Sequence, residues 1–181
     1  MDPIIIYACL AVLAVILWLG VIDKLWHFTA FELSVAGYQL LPAVMHRPFA
    51  IAFVASELAA GLLLLAPPGR VAGALLALAV LVVATCGVVV NLVRGNTDID
   101  CGCGGLSRFA EGLTWWIVGR NALLAGLAVL VLMFAGAASR DLVWLDGITF
   151  FGTALAMLGL YFVLNQLIAS HMHMQKVRSQ S

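Results

Sequence analysis

Long apolar runs separated by short polar connections set the plan of this chain. The runs Ile4–Ile22, Phe49–Ala66, Val71–Val93, Leu113–Ala138 and Gly147–Ala169 each approach or exceed the roughly 20 residues that a helix needs to cross about 30 Å of hydrocarbon. They predict an all-α membrane protein, a bundle of about five transmembrane helices forming one integral domain over residues 1–181. The first run reads as a retained helix. It lacks a basic leader, exceeds a usual signal-peptide core, and no small-residue cleavage site follows it cleanly. Pro67-Pro68-Gly69 marks a tight turn, which makes the second and third helices antiparallel neighbours. In the long connection Asp23–Pro48, the stretch Phe31–Val44 is too short and too polar to span. Phe31, Val35, Tyr38 and Leu41 share a helical face there, which predicts an interfacial helix between the first and second spans.

Composition sharpens that reading. The chain is 64% hydrophobic and 10% charged, against about 25% charged residues in soluble domains. The lipid bilayer is therefore its first partner. A formal net charge of zero offers no basic surface to nucleic acid, so no nucleic-acid partner is expected.

Five crossings sort the connections onto two sides. Side B holds Asp23–Pro48, the connection Arg94–Gly112 and the tail from Ser170; side A holds Pro67–Arg70 and Ser139–Asp146. At about 1.5 Å per helical residue, Glu57 lies roughly 12 Å below side B, and Arg120 and Cys86 about 10 Å below it. Asn91, Asn121, Asn165 and Gln166 fall in the same half, whereas Leu58–Ala66, Val71–Val80 and Leu127–Ala138 leave the other half apolar. Ionisable groups inside a bilayer face a bundle interior or a cavity. Opposite signs at similar depth predict that Glu57 pairs with Arg120, either to lock the helices or to build a pocket.

The densest chemistry is Asp98-Ile99-Asp100-Cys101-Gly102-Cys103 on side B. Two thiols one residue apart suit a redox couple or a soft-metal site. Gly102 permits the bend that brings their Cα atoms within disulfide range, and a small strained ring would be an oxidising, labile disulfide. Arg94 and Arg108 favour a thiolate nearby, whereas Asp98 and Asp100 oppose it. Cys86 is a candidate to exchange electrons with the pair, or a small core residue; Cys9 reads as structural. The tail His171-Met172-His173-Met174 could ligate copper. His27 and His46 accompany Trp26 and Phe28 as interfacial anchors or as parts of a relay.

These residues, taken in order, resemble the MauE family, methylamine-utilisation membrane proteins related to DoxX-type proteins. The resemblance rests on Asp23-Lys24 closing the first helix, Tyr38-Gln39-Leu40-Leu41-Pro42 in the connection, and Glu57-Leu58-Ala59-Ala60-Gly61-Leu62-Leu63-Leu64 on the second helix. It continues through Asp100-Cys101-Gly102-Cys103 and Arg120-Asn121. Gly104 departs from the family pattern, which often carries an aromatic residue there. The resemblance implies a role in maturing the disulfide-rich small subunit of periplasmic methylamine dehydrogenase, beside a thioredoxin-like partner of the MauD type. Together with the resemblance, the residues point to Cys101 and Cys103 as the expected catalytic pair, with Glu57, Arg120, Asn121, Cys86, Lys24 and Asp100 as pocket or support. The layout also looks like that of vitamin K epoxide reductase-type membrane oxidoreductases, by fold analogy alone.

Thiol–disulfide exchange is thus the expected chemistry, with a quinone as the cofactor that the polar layer could admit and no resident metal. Whether such a maturation factor counts as an enzyme, a thiol–disulfide oxidoreductase, is left open by the residues. A copper- or zinc-binding transporter using Cys101, Cys103 and the His171–Met174 tail is one alternative. A non-redox scaffold for the thioredoxin-like partner is another. Side B carries Lys24, Arg47, Arg94, Arg108, Lys176 and Arg178 against Arg70 and Arg140 on side A, which by the positive-inside rule puts it in the cytoplasm. Disulfide chemistry belongs in the periplasm. The expectation follows the chemistry: a multi-pass protein of the bacterial inner membrane with a periplasmic cysteine loop.

Overall fold

The computed structural model describes residues 3–97, 99, 113–134, 147–163 and 166. Its helices are α1 (Pro3–Trp26), α2 (Phe28–Gly37), α3 (His46–Leu65), α4 (Arg70–Val93) and α5 (Trp115–Phe134), followed by α6 (Gly147–Val163). No strand occurs among the described residues. Four stretches there are long and apolar enough to cross a membrane: Ile6–Trp26, Ala43–Leu65, Pro67–Val93 and Trp115–Phe134. The fifth expected span is helical over its described part, as the shorter apolar α6.

Two boundaries differ from expectation for a physical reason. α1 runs past Ile22 and carries Asp23 and Lys24 within the helix, because Lys24 turns into the bundle and finds a counter-charge there. α3 starts at His46 rather than Phe49. Pro48 lies in its first turn, where a missing N–H costs nothing, and the His46 ring nitrogen Nε2 lies 3.0 Å from the Leu41 carbonyl.

α1 packs on α3 and α5, and α4 packs on the same two helices, so the four enclose a common centre. The turn at Pro67–Gly69 is a single 3-10 turn, and α3 and α4 lie against each other as its shortness requires. At one end Arg70 stacks over the Tyr7 ring at 4.8 Å, which brings the starts of α1 and α4 together. The core at that end is wholly apolar: Cys9, Leu10, Leu13 and Leu17 meet Ala60, Leu64, Ala74, Ala77, Leu81, Leu124, Ala128 and Val131. Small residues set the spacing, as they do where helices associate in lipid. A Cβ on Gly73 would sit 2.6 Å from the Leu64 nitrogen, so α3 and α4 touch there backbone to backbone.

The opposite end is built differently. α2 folds back over the bundle with Phe31 and Val35 buried against Val21, Ala50 and Val54, and Leu41 joins them. Tyr38, on the expected face, instead lies over α4, where Gly87 leaves room for its ring at 3.0 Å from an added Cβ. Gln39 follows in the left-handed region, φ 51°, and turns the chain out of α2.

Candidate functional site

The buried charges are concentrated at the α2 end. Lys24 is 4% exposed and Glu57 7% exposed, and the Lys24 ammonium donates to both Glu57 carboxylate oxygens, at 2.9 and 2.8 Å. Its remaining sides meet aromatic faces: Nζ lies 5.6 Å from the centroids of Phe31 and of Phe53, within the roughly 6 Å range of cation–π attraction. The two rings lie 5.8 Å apart. Gly20, one turn earlier on α1, would bring a Cβ to 3.4 Å from the ammonium. α1, α2 and α3 thus meet at one charge.

This arrangement corrects the expected Glu57–Arg120 pair. Lys24 takes the carboxylate because its four-carbon stem bends inward from the end of α1, which packs directly on α3. The Arg120 Nε is buried with no hydrogen-bond partner. The residues that depth grouped together, Glu57, Arg120, Asn121 and Cys86, nevertheless share one cavity of about 810 Å³ with Lys24. Its other walls include Phe31, Val35, Tyr38, Phe49, Phe53, Leu81 and Leu124. Asn121 is buried and Cys86 is exposed, whereas Cys9 is buried in the apolar core. At the mouth, the His27 Nδ1 lies 3.6 Å from an Asp23 carboxylate oxygen.

The segment carrying Cys101 and Cys103 lies outside the described residues, together with Asp98, Asp100, Arg108 and the His171–Met174 tail. Both of its flanks are described, and both are fastened. Gly95, φ 75°, ends α4. Asn91, fully buried, donates from its amide to the Gly87 carbonyl at 3.0 Å and accepts from the Asn96 amide at 3.3 Å. The Leu113 N–H donates to the Thr97 carbonyl at 2.7 Å, closing the base of the connection. Ile99 packs against the buried cluster of Val88, Leu113 and Ile117, as do Tyr38 and Leu92, and its Cγ2 would lie 3.0 Å from a Cβ on Gly37.

Sequence reasoning missed the aromatic box of Phe31 and Phe53. Its signal was weak: two phenylalanines on separate elements, joined only when α2 folds back. Among the described residues no group of three His, Cys, Asp or Glu side chains converges as a metal site would require.

A helical multi-pass membrane protein with a charge-lined cavity between its spans is the class that this fold and site define. The family model described as "Methylamine utilisation protein MauE" matches residues 2–134, and the chain belongs to that family. It is 34% identical over 164 residues to a methylamine utilization protein MauE of Methylorubrum extorquens, covering 88% of this chain and 86% of that one. It is 31% identical over 134 residues to the MauE of Paracoccus denitrificans, covering 72% and 69%. No solved structure matches. Membership connects the chain to methylamine utilisation.

Proposed function

We propose that this protein performs thiol–disulfide exchange at the membrane surface during maturation of a disulfide-rich periplasmic protein, with the methylamine dehydrogenase small subunit as substrate and a thioredoxin-like MauD-type protein as partner. Cys101 and Cys103 are the exchanging pair. A thiolate of a partner dithiol attacks the Cys101–Cys103 disulfide, breaking that S–S bond and forming a mixed disulfide while the other loop sulfur leaves as thiolate. The second partner thiolate then attacks the mixed disulfide. The partner ends with a disulfide and the loop with two thiols, so two electrons pass to the loop; the reverse sequence oxidises the loop.

One observation carries the reading beyond the motif: the anchoring of Ile99. The chain enters the cysteine stretch from a side chain set against Gly37 and the Val88, Leu113 and Ile117 cluster. Ile99 thus fastens the chain beside α2 and α4, two residues before Cys101 in the sequence. A reactive pair held on a rigid frame loses less entropy on docking than one on a free tail. Lys24, Glu57, Arg120, Asn121 and Cys86 line the cavity, the place this reading gives to a quinone as electron acceptor, and Asp100 precedes the pair in the sequence.

The test is trapping. Cys101→Ser and Cys103→Ser should each abolish maturation as completely as the double variant, and one single variant should accumulate a mixed disulfide with the thioredoxin-like partner on diagonal gels. Full maturation in either single variant would remove the exchange mechanism and leave the scaffold role.

A further inference from the structure

Among the described residues, one charge lining the cavity has no ion-pair partner. Lys24 and Glu57 neutralise one another, and Asp23 lies with His27 at the mouth. Arg120 forms no ion pair among the described residues. Its guanidinium keeps its charge, its Nε is buried with no partner, and Asn121 beside it presents a buried amide to the same space. An uncompensated cation inside a membrane domain is costly, so the site calls for an anion. The rest of the cavity calls for hydrocarbon. Val80, Leu81, Val83, Val90 and Leu124 line it, and Ile22, Val82 and Val83, also in its lining, are exposed on membrane-spanning helices. Those exposed apolar positions give acyl chains a route into the cavity from the bilayer.

From this we infer that the cavity is a binding site for an anionic acyl amphiphile, its head on Arg120 and Asn121 and its chain along the apolar wall of α4 and α5. A phospholipid with an anionic headgroup and a free fatty acid share that chemistry. The inference stands apart from the thiol exchange proposed for the loop cysteines, and it puts an acyl amphiphile where that reading gives the cavity to a quinone.

Cys86 supplies the readout, because it lines the cavity and is exposed. The full chain carrying Cys101→Ser and Cys103→Ser is purified in a neutral detergent, and the rate of Cys86 alkylation by N-ethylmaleimide is followed by mass spectrometry. Phosphatidylglycerol, phosphatidylcholine and oleate are titrated separately. Protection by phosphatidylglycerol but not phosphatidylcholine assigns the site to anionic phospholipid, and protection by oleate alone assigns it to fatty acid. Arg120→Gln should weaken protection about tenfold, the worth of a charge-assisted contact, while Arg120→Lys should retain the preference for anionic over zwitterionic lipid. The Lys variant separates loss of the ligand from loss of the fold. Equal protection by anionic and zwitterionic lipids, or undiminished protection in a folded Arg120→Gln variant, would overturn the inference.

Discussion

Lys24 and Glu57 meet as a buried ion pair, with Nζ 2.9 and 2.8 Å from the two carboxylate oxygens and two phenylalanine rings beside the cation. The pair joins α1 to α3, and Phe31 ties α2 to it. Such a pair gains little over well-packed apolar side chains, yet removing one member strands the other charge. Its value is therefore positional: it holds the short helix over the cavity.

We predict that Lys24→Leu and Glu57→Leu each cost about 3–5 kcal/mol, seen as less folded protein in the membrane and a lower unfolding temperature in detergent. The double variant should recover much of the loss. A double-mutant cycle between Glu57 and Arg120 should be additive. Strong coupling in that second cycle would restore the pairing that depth alone suggested.

Gly73 and Gly119 should respond oppositely to alanine. A Cβ on Gly73 meets the Leu64 nitrogen at 2.6 Å and the Leu63 carbonyl carbon at 2.9 Å, and backbone cannot move aside as a side chain can. We expect Gly73→Ala to cost about 1–3 kcal/mol by overpacking. Nothing lies within 4 Å of a Cβ on Gly119, so Gly119→Ala should be neutral or gain up to about 1 kcal/mol of helix propensity. Thermal unfolding of the two purified variants checks both, and a neutral Gly73→Ala would mean that α3 and α4 are not in backbone contact.

The spans were legible because hydropathy is a sum over some twenty residues and survives local exceptions. The polar layer was legible for a related reason: Glu57, Arg120, Asn121 and Cys86 lie within runs otherwise apolar, so helical rise alone gives their depth. The partner of Glu57 was not. A lysine near the end of a span ordinarily extends its stem toward the interface, and nothing local says that Lys24 turns inward. What reverses it is tertiary: Gly20 leaves space beside the ammonium, and α2 brings Phe31 across to Phe53. Contacts that depend on a chain folding back leave no periodicity to read.

Ile99 offers a test of the anchored-loop reading. Replacing it with Asp removes its packing against the Val88, Leu113 and Ile117 cluster and puts a charge against Gly37. We expect little change in the α1–α3–α4–α5 bundle, because Ile99 lies outside the core that holds those helices together. Maleimide labelling of the reduced loop cysteines should quicken, and maturation should fall by several-fold as docking loses its preorganisation. Unchanged labelling and maturation would mean that Ile99 does not position the pair.

Orientation can be decided without any knowledge of the chemistry. The charge count puts the α2 end in the cytoplasm, whereas an exchanging cysteine pair needs the oxidising side. Lys24 no longer counts as a loop charge, because it is 4% exposed and neutralised by Glu57. That removes one of six positive charges from the side carrying the cysteine loop, and the bias toward it weakens without reversing. We predict that reporter fusions after Gly69 read cytoplasmic and fusions after Gly105 or Ser181 read periplasmic. An impermeant maleimide should then label Cys101 and Cys103 from outside intact spheroplasts. The opposite pattern would place the loop in a reducing compartment and rule out the exchange reaction.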